Sequence, residues 1–90
     1  MPEIKITEAK GRPADHAFDV ELAGYKYKVS FTDEYYKKLT GGKFTPEKLV
    51  KKSFDFLLER EGPESILREF DLSIIGVYFP EYEEEIIQGL

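Results

Sequence analysis

The chain has 90 residues, 41% hydrophobic and 14% aromatic, too apolar for a disordered segment despite 34% charged residues. That length suits a single domain over residues 1–90, with too little left over for a second core. The formal net charge is -5, cysteine is absent, and the apolar runs are short. Disulfides, thiolate catalysis, cysteine zinc sites and membrane spans are thereby excluded.

In chain order, Ile4 and Ile6 alternate with Lys5 and Thr7, the pattern of a short strand. Lys10 to His16 lacks any period and reads as a loop. With Ala23-Gly24 as a two-residue turn, Leu22 faces Tyr25, Val20 faces Tyr27 and Phe18 faces Val29. The same register sets Glu21 against Lys26 and Asp19 against Lys28. An apolar face and a charge-paired face arise together, and a one-residue slip would destroy both. Strands are predicted at about 17–23 and 25–31, with the first strand completing a small antiparallel sheet.

Thr32 is a good N-cap for the short helix DEYYKKL, whose Asp33 and Glu34 suit the positive first turn. That helix stops at Gly41-Gly42. Thr45 caps a second, with Pro46 at its first position and Gly62 just past its end. Val50, Phe54, Leu57 and Leu58 form its stripe, widened by Leu49 and Phe56, and Glu47 is placed to pair with Lys51. This is the main helix, about 46–61. Beyond it, Leu67, Phe70, Ile74, Val77 and Tyr78 fit one continuous helical stripe. Asp71 and Gly76 favour two short helices instead, one over PESILREF and one capped by Asp71 and ended by Pro80. A last turn or helix follows in PEYEEEII. The expected fold is α+β: a three-stranded antiparallel N-terminal sheet packed against three to five C-terminal helices.

The run FDFLLEREGPESILREFDLSIIGVYFPEY, from Phe54 to Tyr82, is long and distinctive. Between Thr40 and Glu83 the chain resembles a group of short, functionally uncharacterised prokaryotic hypothetical proteins with an F-x-FLLERE…SIL…FDLS-I…YFPEYE pattern. The resemblance covers about half the chain. It implies an autonomously encoded small protein and brings with it no catalytic residue, substrate or partner.

Residues 1–52 carry 11 cations and 8 acids, whereas residues 53–90 carry 2 cations and 10 acids. The two halves can attract each other within the fold or attract another copy. Asparagine is absent, Gln88 and Met1 stand alone, and Lys and Glu are abundant, the bias of hyperthermophile proteins. A thermophilic source is expected. The opening MPEIKITEAK has no apolar signal-peptide core, so a cytoplasmic location is expected too.

Candidate chemistry is sparse. His16 is the only histidine, and no serine sits in a nucleophile-elbow context, so a surface histidine without a role is the better reading. Glu81, Glu83, Glu84 and Glu85 lack the spacing of a calcium loop and read as a solvated face. Gly41-Gly42-Lys43 falls short of a phosphate-binding loop and reads as a helix C-cap. A helix-turn-helix around Asp71 fails because its second helix has no base-reading side chain. Lys37, Lys38, Lys43, Lys48, Lys51 and Lys52 form the one basic cluster, with Tyr35, Tyr36 and Phe44 nearby. Basic residues among aromatics suit nucleic acid, but the acidic chain favours an ordinary solvated face.

The expected function is a non-enzymatic protein-interaction or regulatory module without cofactor or metal. An accessory nucleic-acid-binding protein using Lys37 to Lys52 is the alternative. Tyr78, Phe79 and Tyr82 flank Pro80 and are the expected interaction residues, for a protein partner or a weak homodimer. The plainer reading is that these rings close the core.

Overall fold

The computed structural model describes residues 4–9 and 15–88, so the loop expected from Lys10 lies mostly outside the described residues. Strands β1 (Ile4–Glu8), β2 (His16–Leu22) and β3 (Tyr25–Phe31) are antiparallel neighbours. The hairpin forms in the register set by its alternation, with Leu22 opposite Tyr25, Val20 opposite Tyr27 and Phe18 opposite Val29. Its turn residues, Ala23 and Gly24, have φ of 52° and 83°. Positive φ at both central positions matches the right-handed twist of the flanking strands. Ala23 takes that conformation without glycine's freedom.

One sheet face is apolar and covered. Phe18, Val20 and Leu22 of β2, with Tyr27, Val29 and Phe31 of β3, are all buried there. The other face alternates in sign from strand to strand. Lys5 pairs in register with Glu21 and Glu21 with Lys26, while Lys28 stands between Asp19 and Glu69. Opposite charges directly across a sheet support the register that the apolar face demands.

The sheet has four strands rather than three, and it is mixed. β4 (Glu69–Asp71) runs parallel to β3 at the edge. The Lys28 amide donates to the Arg68 carbonyl at 2.7 Å, and the Leu72 amide donates to the Ser30 carbonyl at 2.9 Å. PESILREF is therefore not a helix: only Pro63–Ser65 form a 3-10 turn. The reason lies in the core. Phe70 sits opposite Val29 and packs on Phe54, ring centroids 6.2 Å apart, and Leu72 is fully buried. An extended chain puts Phe70 and Leu72 on one face and Glu69 and Asp71 on the other. A helix would not bury both.

The helices follow their capping signals. Thr32 Oγ1 accepts from the Tyr35 amide to start α1 (Asp33–Thr40), and Gly41 ends it in the left-handed region at φ 61°. Thr45 Oγ1 accepts from the Lys48 amide to start α2 (Pro46–Leu58), with Pro46 at the first turn. α2 stops short of the predicted 61, its end tightening into three-residue bonds from the Glu59 amide to the Phe56 carbonyl at 3.3 Å and from the Arg60 amide to the Leu57 carbonyl at 3.0 Å. Lys51 pairs with Asp55 at 3.3 Å rather than with Glu47. Leu49, Val50, Phe54 and Leu57 carry α2's apolar stripe into the core.

Asp71 is not the cap of the next helix: Leu72 holds that position without a side-chain cap. Asp71, the last residue of β4, closes a turn before it by accepting from the Ser73 amide at 2.9 Å and the Ser73 hydroxyl at 2.7 Å. α3 (Ser73–Tyr78) is short, and α4 (Tyr82–Gln88) follows after Pro80. α4 buries Tyr82 and Ile86 and is tied to the end of α2 by Arg60. That guanidinium lies 3.7 Å from the Phe56 ring centre and reaches Glu81 at 3.3 Å and also Glu85. No described helix is long and apolar enough to cross a membrane.

Candidate functional site

α3 has the sequence SIIGVY, in which no residue after Ser73 is polar. A helix presents residues i, i+3 and i+4 on one face, so Ile74, Val77 and Tyr78 point together while Ile75 points elsewhere. Ile75 goes into the core at 3% exposure. Ile74, Val77 and Tyr78 remain 36%, 73% and 66% exposed. An apolar helix of this kind is normally buried on all sides.

Beside this face runs an open groove of about 410 Å³. Leu57, Ile66 and Phe70 supply buried side chains to its lining, and Ile74 and Tyr78 of α3 contribute exposed ones. Leu67, 50% exposed, belongs to the same surface. It stands where the chain leaves the 3-10 turn for β4, so pairing of β4 with β3 fixes its position. Glu61, half-buried, is the one charged side chain of the lining. Its carboxylate forms no hydrogen bond or ion pair with any described residue.

The three expected interaction residues part company. Tyr78 is exposed, as above. Phe79 is half-buried, edge-on to Phe56 with centroids 5.9 Å apart, and lines the inner end of the groove. Tyr82 is fully buried and belongs to the core, its hydroxyl 2.6 Å from Ser53 Oγ. Leu67, Ile74 and Val77 complete the exposed surface, and they were legible in the sequence as part of a 3.6-residue stripe. That stripe faces solvent, apart from Phe70.

The basic cluster is divided among several tasks. Lys37 pairs with Asp33 at 3.0 Å, Lys38 lies 3.9 Å from Glu83, and Lys51 is held by Asp55. Lys48 and Lys52 sit 5.4 and 5.1 Å from the centre of the Phe44 ring. That ring is almost buried, so it offers no face for a base to stack on. Lys43 is exposed at the start of this segment.

His16 is not a bare surface histidine. Its Nε2 lies 3.0 Å from Asp33 Oδ1, and its ring stacks on Phe31 with centroids 5.1 Å apart. A carboxylate only accepts, so Nε2 carries the proton of this bond. The bond from His16, and then that from Lys37, hold the Asp33 carboxyl below its ordinary range. The pair joins β2 to the first turn of α1.

The acidic residues of α4 serve separate partners. Glu81 and Glu85 bind Arg60, Glu84 accepts from Gln88, and Glu83 accepts from the Tyr35 hydroxyl at 2.9 Å. Burial, and next the bond to Glu83, push the Tyr35 hydroxyl far above the ordinary tyrosine range. Among the described residues no group of three or more acidic or histidine side chains is placed to hold a metal ion. Comparison with protein-family models, curated proteins and solved structures yields no significant match.

Proposed function

We propose that the protein is a non-enzymatic interaction module that docks another protein on the outward face of α3 and the adjoining groove. One observation carries this reading: α3 is apolar on both faces, and only one of them is used by the fold. Leu67, Ile74 and Tyr78 line a concave site with exposed apolar side chains, and Val77 stands on the same face of α3 as Ile74 and Tyr78, the anatomy of an interface centre. Tyr78 is of a residue type in which binding energy concentrates at interfaces. The nucleic-acid alternative has less support, because Lys37, Lys38 and Lys51 lie beside carboxylates and Phe44 is covered.

Affinity capture from a native-host lysate tests the proposal, using wild-type, Val77→Asp and Tyr78→Ser proteins as baits. A specific protein retained by the wild type and lost by both folded variants is expected. Equal recovery on all three baits would place docking elsewhere and refute this assignment.

A further inference from the structure

Resting on the docking reading above, we infer that the groove's occupant is an apolar segment of a different protein, carrying a lysine or arginine that pairs with Glu61. The charge of the groove lining is a single carboxylate, that of Glu61. Arg60 and Arg68 are the cations nearest to it in sequence. Neither arginine is available to Glu61. Arg60 is drawn to Glu81 and Glu85 and lies over Phe56, and Arg68 lies over the Tyr25 ring, 4.5 Å from its centre.

Glu61 decides between partners. It is already half-buried in an apolar lining and has no partner among the described residues. A segment laid over Leu67, Ile74 and Val77 strips away more of the water that now solvates the carboxylate. An uncharged segment leaves a desolvated, unpaired charge, and an acidic one adds repulsion. A cationic side chain at that point answers both.

A second copy of the chain fits poorly. Twofold pairing through this face offers Glu61 no cation, because the same lining in the second copy carries no lysine or arginine. Head-to-tail pairing with the basic half of another copy does not close unless the rotation happens to close a ring.

The test is selection of a displayed random-peptide library on the intact wild-type protein, followed by mapping of selected peptides by amide chemical shifts. Selected peptides should combine apolar residues with at least one lysine or arginine and shift Leu67, Ile74 and Val77. Their affinity should fall about fivefold in Glu61→Gln, the scale of one partly exposed ion pair, and should lose salt dependence. Peptides that map to the groove but lack a cation, or bind Glu61→Gln equally well, overturn the partner chemistry while docking stands. Selected peptides that map only elsewhere remove the docking site itself. A concentration-dependent dimer, seen by sedimentation and abolished by Val77→Asp, would give the groove to a second copy and overturn the inference.

Discussion

The Tyr82 hydroxyl and Ser53 Oγ, 29 residues apart in sequence, lie 2.6 Å apart in the core and join α4 to α2. Ser53 gives its own proton to the Leu49 carbonyl at 2.8 Å, so Tyr82 is the donor of the pair. Removing the acceptor strands a buried hydroxyl. Ser53→Ala should therefore cost about 1–3 kcal/mol in chemical denaturation, and Tyr82→Phe about 1 kcal/mol. In the double variant no hydroxyl is left over, and the loss should be smaller than the sum. Strictly additive losses would show that the two groups do not interact.

The same tyrosine makes the fold sensitive to alkali. Burial is the main cause that raises the Tyr82 hydroxyl above its ordinary value, and Tyr35 is raised by burial and by Glu83. A group whose folded pKa is raised binds its proton more tightly in the folded state. Its contribution is complete below the unfolded value, near 10, and is lost as pH climbs through the folded value. Denaturation midpoints should be level in this respect up to about pH 9.5 and fall above it. Tyr35→Phe should make that fall shallower. A midpoint independent of pH in the alkaline range would mean that both hydroxyls ionise freely while folded.

The hairpin turn offers a gain in stability. Ala23 holds φ at 52°, a region that costs an ordinary L-residue roughly 1–2 kcal/mol. Asparagine tolerates it better, and Asn-Gly is the preferred pair for this turn. Ala23→Asn should raise stability by about 0.5–1 kcal/mol, visible as a higher thermal midpoint. A lower midpoint would argue against a turn with positive φ at residue 23.

Reversing Lys26 to Glu sets like charges against Glu21 across the strands, on the open side of the sheet. It should cost only a few tenths of a kcal/mol, since exposed ion pairs contribute little. Val20→Asp places a carboxylate on the buried face and should cost several kcal/mol or unfold the domain. Comparable losses from the two would contradict the assignment of faces.

The hairpin was legible in the sequence because two independent patterns, apolar alternation and charge pairing, agree on one register. Helix starts at Asp33 and Pro46 were legible because Thr32 and Thr45 cap them locally. β4 was not. It is three residues long, its partner lies about forty positions back, and Leu67, Phe70, Ile74, Val77 and Tyr78 also satisfy helical spacing. Long-range pairing with β3 overrides that local pattern. The candidate site shows the same division. Tyr78 was singled out, but the burial of Tyr82 depends on Ser53 and Phe56, which no local pattern reveals. Leu67, Ile74 and Val77 were visible as a stripe, and only the path of β4 turns that stripe toward solvent.

The claim that α3 has one face for the fold and another for a partner is tested most directly by equilibrium unfolding of Val77→Asp beside Ile75→Asp. Val77→Asp should stay within about 0.5 kcal/mol of the wild type, as a surface substitution does. Ile75→Asp should lose several kcal/mol, because it buries a carboxylate. Equal and large losses in the two variants would show that Val77 closes the protein's own core, and the outward face of α3 would no longer be a docking surface.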